Sequence, residues 1–143
     1  MRHIYRCPLR WADMDAYGHV NNVVFLRYLE EARIDFLFRP DIEFRQGSVV
    51  ARHEIDYKRQ LVHRHEPVDV ELWVTETKAA SFTLAYEVKD PGVLYVRAST
   101  VIVPFDFEAQ RPRRITAEER AFLRGYMDEA GEDKDGARKA VVV

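Results

Sequence analysis

The stretch RWADMDAYGHVNNVVFLRYLEEAR, residues Arg10–Arg33, joins a run of polar side chains directly to an amphipathic segment. After the polar run, apolar side chains recur at the spacing of one helical face: Phe25, Leu29, Ala32 and Phe36. This spacing predicts a helix over Val23–Phe38. The polar residues therefore lie at the start of a helix, where backbone N–H groups are unpaired and the helix dipole is positive.

The polar run contains Asp13, Asp15, His19, Asn21 and Asn22. Either asparagine fits the N-cap of the helix, because its side-chain oxygen can accept an unpaired backbone N–H. A backbone N–H at a helix start can also polarise a carbonyl, and a nearby carboxylate can attack that carbonyl or activate a water. The spacing alone thus leaves two interpretations open: an acyl-transfer or hydrolytic site, or ordinary turn and capping residues.

Outside this stretch, apolar residues alternate as they do in β-strands. One strand precedes the polar run, at His3–Trp11, and four more follow the helix. They are centred on Val49–Tyr57, Val68–Val74, Phe82–Val88 and Leu94–Ile102. One helix can cover a face of a curled antiparallel sheet, which predicts an α+β fold with about five strands. We expect the uncovered face or edge of the sheet to meet another subunit.

Length and charge limit the classes of protein. The chain has 143 residues, which fits one domain, over 1–128. A capping box at Thr116 and Glu119 predicts a short helix ending near Met127, and the charged segment 129–143 is expected to be disordered. With 22 basic and 24 acidic residues, the charge favours neither a nucleic acid nor a membrane as partner.

A single cysteine and the lack of a long apolar segment predict a cytoplasmic protein. Cys7 lies on the apolar side of its strand, so we expect an inert buried thiol rather than a nucleophile. His63 and His65 could bind a metal only with a third ligand, so a solvated turn is the favoured interpretation and no metal is expected.

The segment DMDAYGHVNNVVFLRYLEEAR, at Asp13–Arg33, resembles the signature of hotdog-fold thioesterases of the 4-hydroxybenzoyl-CoA thioesterase type. In that family an Asp-x-Asp pair precedes the central helix, and many members continue with His-Val-Asn-Asn. The resemblance covers Tyr5–Thr116, including IDYKRQ at Ile55–Gln60 and RPRRIT at Arg111–Thr116. It implies a hotdog fold, in which a curled antiparallel sheet wraps one long central helix.

The resemblance also implies a reaction, the hydrolysis of an acyl-CoA or acyl-carrier-protein thioester without a cofactor. Asp15 matches the catalytic carboxylate, as nucleophile or general base, and Asn22 matches the position whose backbone N–H faces the carbonyl. His19 matches a histidine of plant acyl-carrier-protein thioesterases, and Asp56 a further acidic residue of those enzymes. Tyr17 stands where those enzymes have an asparagine. A homodimer or homotetramer is expected, with the site near the subunit interface.

Other residues are candidates for substrate contacts. Arg59 and Arg64 belong to basic clusters near strand ends and could hold the phosphates of coenzyme A. Tyr28, with Phe25 and Phe36, could line an acyl tunnel, although aromatic residues at helical spacing also form ordinary cores. Two rival functions remain: reversible hydration of an enoyl-CoA, and a non-catalytic module that binds acyl-CoA.

The composition of the C-terminal segment generates a prediction about truncation. Residues 129–143 carry many charges and few apolar side chains before Val141. A chain ending at Asp128 should keep the melting temperature and the turnover of the full chain. A large loss of either would show that the segment packs against the domain or gates its site.

Overall fold

The computed structural model describes residues 1–39, 44 and 47–128. The segment 129–143, predicted to be disordered, lies outside the described residues. In chain order the elements are β1 (His3–Cys7), a 3₁₀ turn (Trp11–Asp13), α1 (Asn22–Leu37), β2 (Ser48–Tyr57), β3 (Val68–Thr77), β4 (Phe82–Asp90), β5 (Val93–Asp106), β6 (Arg111–Pro112) and α2 (Ala117–Arg124).

Within the described residues the strands form one sheet in the order β1-β3-β4-β5-β2, with the short β6 beside β5. All five pairings are antiparallel. The predicted α+β class with an antiparallel sheet of about five strands is confirmed. The two-residue β6 was not predicted, because two residues are too few to show alternation. β1 ends at Cys7 instead of Trp11, since Pro8 has no N–H for the ladder.

The resemblance implied one long central helix, which is not confirmed; α1 has 16 residues and lies one residue earlier at each end than the helix that the spacing predicted over Val23–Phe38. Asn21 is its N-cap, with the side-chain oxygen accepting the Val23 N–H at 3.0 Å. The helix packs mainly against β1 and β3. Its buried side chains are Phe25, Tyr28, Leu29, Ala32, Arg33, Phe36 and Leu37. No helix in the described ranges is long and apolar enough to cross a membrane.

The capping box at the start of α2 forms as the sequence predicts. Glu119 donates its N–H to the Thr116 hydroxyl, and its carboxylate accepts the Thr116 N–H at 2.8 Å. Arg113 adds two hydrogen bonds of 2.8 Å to the same buried carboxylate. The helix ends at Arg124 instead of Met127, because Gly125 follows as its C-cap.

A β-bulge in β2 changes which side chains face inward. Regular alternation along the predicted strand Val49–Tyr57 would place Val49, Ala51 and His53 on one face. In the structure Ala51 is an extra residue, since Val50 pairs with Ile102 and Arg52 pairs with the preceding residue of β5. Val50 therefore shares the inner face with His53, Ile55 and Tyr57, and the predicted alternation is wrong before the bulge.

Candidate functional site

The backbone between β1 and α1 makes a tight turn around Asp15. One carboxylate oxygen of Asp15 accepts the N–H groups of Tyr17 at 2.8 Å and His19 at 3.3 Å. The Asp15 N–H in turn donates to the His19 carbonyl at 2.8 Å. Gly18 completes the turn with φ +80°, a conformation that glycine adopts without strain. The Asp15 side chain is half-buried, and its second oxygen has no hydrogen bond within the described chain.

The start of α1 presents an unpaired backbone donor. Asn21 accepts the N–H groups of Val23, Val24 and Phe25 through its side chain and carbonyl. The Asn22 N–H is bonded to no acceptor among the residues described. It is the first residue of the helix, at the positive end of the dipole. Such a donor can stabilise negative charge on a carbonyl oxygen.

A cavity of about 370 Å³ brings these groups together. It is lined by Asp15, Tyr17, His19, Val20, Asn22, Phe25, Tyr57, Arg59 and Gln60. Four of the residues predicted from the sequence, Asp15, His19, Asn22 and Arg59, are thus close in space. Its lining combines apolar side chains with polar groups, as expected of a site that orients a small molecule.

Asp13 holds the loop in place from beneath. Its carboxylate is only 2% exposed and accepts hydrogen bonds from the Tyr28 hydroxyl at 2.7 Å and from three nitrogens of Arg10. Burial acts to raise the pKa of Asp13, but the hydrogen bonds from Tyr28 and Arg10 outweigh it and lower that pKa. The Asp13 carbonyl also accepts the N–H of Asn21 at 3.0 Å, which ties the loop to the helix cap.

The structure does not bring three predicted residues to this cavity. Tyr28 is buried on Asp13 and borders a different cavity beside β1. Asp56 lies opposite Arg97 in the register of β2 and β5, on the outer face of the sheet and away from the face of Tyr57. Arg64 donates two hydrogen bonds to Asp90 and two to backbone carbonyls, so its guanidinium is already occupied within the domain.

The alternative sites considered from the sequence are not assembled. The ring of His63 lies edge-on to the rings of Trp11 and His65, and no group of three metal-ligating side chains occurs in the described part of the chain. Cys7 is buried, and burial raises the pKa of its thiol to about 12, with Asp13 and Glu31 adding to the effect. The thiol therefore stays protonated near neutral pH.

Sequence reasoning missed Tyr57 and Gln60. The Tyr57 hydroxyl donates to the Asn22 carbonyl at 3.0 Å, so the end of β2 clamps the start of α1. The Leu61 carbonyl accepts the Val20 N–H at 2.8 Å and fixes the neighbouring loop. The strand pattern did place Tyr57 on the inner face, but its contact with a residue 35 positions away depends on tertiary packing.

The fold combines one antiparallel sheet with a helix that begins beside a carboxylate. Comparison with known proteins assigns this combination to a class of enzymes. A family model described as the thioesterase-like superfamily matches residues 9–123. The chain belongs to this superfamily, and its resemblance to hotdog-fold thioesterases is confirmed. Membership of this superfamily supports the classification of the protein as a hydrolase.

Solved structures agree with this assignment. A structure described as a predicted thioesterase, from Bacillus stearothermophilus, is 27% identical with a TM-score of 0.83, covering 92% of this chain and 100% of its own. A Thermus thermophilus thioesterase complexed with coenzyme A and Zn is 30% identical with a TM-score of 0.75, covering 86% and 92%. A proposed acyl-CoA thioesterase from Xanthomonas campestris is 36% identical with a TM-score of 0.65, covering 76% and 95%.

Among curated proteins, an uncharacterized Bacillus subtilis protein, YsmA, is 32% identical over 84 residues. The match spans 57% of this chain and about half the length, 56%, of that relative. It adds no activity to the assignment.

The contacts of Asp13 generate a prediction about stability and pH. Because its pKa is lowered in the folded state, its ionised form stabilises the fold above the unfolded pKa of about 3.9. This stabilisation is lost as pH falls through the folded pKa. Asp13→Asn should therefore lower the free energy of unfolding by about 1–3 kcal/mol at neutral pH, and the difference from wild type should shrink in acid. Denaturant unfolding across pH measures both effects.

The matched control is Asp15→Asn, which changes a half-buried carboxylate that accepts only backbone N–H groups. It should cost less stability than Asp13→Asn. A pH-independent loss in Asp13→Asn would contradict the role given to the ionised carboxylate.

Proposed function

We propose that the protein hydrolyses an acyl thioester to a free acid and a thiol. The observation that supports this most is the shared cavity of the Asp15 carboxylate and the unpaired Asn22 N–H. One group can act on the carbonyl carbon while the other stabilises its oxygen. A thioester is an activated acyl group, so this pair supplies what hydrolysis needs.

In the proposed mechanism the Asn22 N–H donates to the carbonyl oxygen as negative charge develops there. Asp15 then either attacks the carbonyl carbon or removes a proton from an attacking water. A C–O bond forms to the water or to Asp15 as the C–S bond breaks, and the leaving thiolate takes up a proton. Where Asp15 is the nucleophile, a water then hydrolyses the mixed anhydride, which releases the acid and restores the carboxylate. Because one Asp15 oxygen is occupied by two backbone N–H groups, the second oxygen is the one assigned to the reaction.

His19 and Tyr57 have supporting roles in this proposal. The backbone of His19 holds the Asp15 carboxylate, and its ring lines the cavity. Tyr57 fixes the position of the Asn22 peptide through its hydrogen bond to the Asn22 carbonyl. Both residues therefore affect how the donor and the carboxylate are placed relative to each other.

Coenzyme A is the favoured carrier of the acyl group, with acyl-carrier protein as the alternative. The Thermus thermophilus relative is complexed with coenzyme A. In this chain Arg59 is exposed at the cavity and can pair with a phosphate. Arg64 does not fit this role, because Asp90 and two backbone carbonyls occupy its guanidinium.

Enoyl-CoA hydration is the rival chemistry. Hydration requires acid and base groups placed at Cα and Cβ, whereas Asp15 lies beside the donor assigned to the carbonyl oxygen. Thiol release from an acyl-CoA indicates hydrolysis, and loss of enoyl absorbance without thiol release indicates hydration. A module that only binds acyl-CoA would show neither signal.

We also propose that the chain assembles as a homodimer or homotetramer. β2 lies at the end of the sheet, so the N–H and C=O groups along one side of its ten residues have no strand partner among the described residues. Most of its side chains between Val49 and Glu54 are exposed. A long, exposed edge strand of this kind is a site for pairing with another chain.

The site geometry predicts the effect of Asp15→Asn on turnover. The amide keeps the shape and the contacts with backbone N–H groups but removes the charge. kcat should fall by about 10²–10⁴-fold, while the melting temperature should change little. Asp13→Asn is the matched control, and it should lower stability more than kcat. Near-wild-type turnover by a folded Asp15→Asn variant would refute the mechanism.

Substitution of Arg59 should change substrate binding, whereas substitution of Arg64 should change stability. Arg59→Gln should raise KM for acyl-CoA by about 5- to 30-fold with kcat nearly unchanged, since a phosphate contact is present equally in ground and transition states. KM for an acyl-pantetheine, which lacks those phosphates, should not change. Arg64→Gln should instead lower the melting temperature, because it removes the contacts with Asp90. A fall in kcat for Arg59→Gln at constant KM would show the assignment to be wrong.

A further inference from the structure

Arg33 of α1 is a buried cation without a counter-charge in the described chain. The residue is only 9% exposed, and within the described residues its one hydrogen bond runs from a guanidinium N–H to the Tyr86 hydroxyl at 3.3 Å. No carboxylate in residues 1–39, 44 and 47–128 forms an ion pair with it. Buried charges in proteins are normally paired, because removing an ion from water is costly. The guanidinium therefore keeps donors that an anion could use.

A chain of polar side chains connects Arg33 to His53 of β2. The Thr100 hydroxyl contacts the Tyr86 hydroxyl and also His53 Nδ1, at 2.9 Å. Burial and the charge of Arg33 lower the pKa of His53, so its imidazole is neutral at neutral pH. In the order that lets each hydroxyl donate once, Tyr86 donates to Thr100 and Thr100 donates to Nδ1. The imidazole hydrogen then lies on Nε2, which is bonded to nothing in the described part of the chain.

Arg33 and His53 border a groove between α1 and β2. Two cavities of about 540 and 250 Å³ lie in it; Arg33 borders both, and His53 borders the larger one. The helix packs mainly against β1 and β3, so its side toward β2 stays open. Three arginines but only one carboxylate, that of the exposed Glu30, border the larger cavity. The charge of the groove therefore favours an anion.

The groove and the candidate site lie along the same side of α1. Arg33 follows Asn22 by eleven residues, or about three helical turns, which places their backbones about 16 Å apart on one side of the helix. The arginine side chain leans back toward the helix N-terminus and shortens this gap. On the facing wall, His53 and Tyr57 share the inner face of β2. Tyr57 is bonded to the Asn22 carbonyl, so each wall has one residue at the site and one near the cation.

We propose that Arg33 binds a carboxylate at the far end of the acyl group, which makes thioesters of dicarboxylic acids the preferred substrates. This inference rests on the proposed thioester hydrolysis and names its substrate class. With the reacting carbonyl at the Asn22 N–H, an acyl chain in the groove carries its far carboxylate to the guanidinium, which binds carboxylates through parallel hydrogen bonds. His53 Nε2 supplies a further donor. The buried cation is then paired when such a substrate is bound.

The phosphates of coenzyme A are the other anions that such a substrate carries, and a guanidinium binds both kinds of group. The phosphates and the far carboxylate lie on opposite sides of the reacting carbonyl. Arg59 already borders the site cavity and is assigned to the phosphates. A pantetheine thioester, which lacks these phosphates, therefore distinguishes the two sources of negative charge.

The first experiment compares substrates. It measures kcat/KM for coenzyme A monothioesters of dicarboxylic acids from glutarate to dodecanedioate, each beside the methyl-ended acyl-CoA of equal length. At intermediate length the carboxylate should be preferred about 10- to 100-fold, as expected for hydrogen bonds to a charged group. The shortest chains should lose this preference, because they do not reach Arg33. Equal rates at every length would overturn the inference, as would a preference that disappears with pantetheine thioesters.

The second experiment substitutes the cation. Arg33→Met should lower kcat/KM for the preferred dicarboxylic thioester by about 10- to 100-fold and leave that for its methyl-ended counterpart unchanged. Arg52→Met is the matched control: it removes an exposed cation beside His53, whose ion pair is with Glu54, and should leave the ratio of the two rates unchanged. Equal losses on both substrates in Arg33→Met would give Arg33 a purely structural role and overturn the inference.

Arg33→Lys keeps the experiment decisive if the methionine variant does not fold. Lysine retains the charge but lacks the planar fork of arginine, so the preference for the carboxylate should fall only in part. A folded Arg33→Lys variant with the wild-type preference at every chain length would contradict binding through the guanidinium fork.

Binding of a stable analogue separates this inference from the reaction. In a carboxy-ended alkyl-CoA thioether a methylene replaces the reacting carbonyl, so the molecule binds without being hydrolysed. It should raise the melting temperature of the wild type more than that of Arg33→Met. Analogue binding that depends on Arg33, without hydrolysis of any thioester, would refute the proposed function but not the carboxylate site. Hydrolysis of methyl-ended thioesters, with no effect of Arg33 on any carboxy-ended one, would refute this inference alone.

Discussion

The arrangement of the site depends on the buried carboxylate of Asp13. A carboxylate that is 2% exposed must be surrounded by donors, and here they come from Arg10 before it and from Tyr28 on α1. Satisfying this charge fixes the loop against the helix. The Asp13 carbonyl then accepts the N–H of Asn21, so the same residue that holds the loop also places the N-cap.

The placement of the N-cap decides which backbone donor stays free. Asn21 accepts the N–H groups of Val23, Val24 and Phe25. The Asn22 N–H remains available at the cavity. Asp15 is fixed independently, by the tight turn that ends at His19. Tyr57 closes the arrangement from β2. The reactive groups therefore belong to one short stretch, while their relative position depends on a strand that is distant in sequence.

Local features could be read from the sequence, and long-range ones could not. The helix, its asparagine cap and the capping box at Thr116 depend on residues within four positions of each other. The bulge at Ala51 depends on the register between β2 and β5, which no local pattern reports. Asp56 and Arg64 were assigned from residue type and resemblance. Their positions became visible only in the fold: Asp56 lies on the outer face of the sheet, and Arg64 is bonded to Asp90 at the end of β4.

Asp13 and Arg33 show how the same physical rule leads to opposite conclusions. Both are charged and buried; Asp13 lies against α1, and Arg33 belongs to it. Asp13 obtains every donor it needs from its own chain, so its burial stabilises the loop and explains why the site is preformed. Arg33 obtains one hydroxyl and no carboxylate from the described chain, so its burial is costly in a single copy.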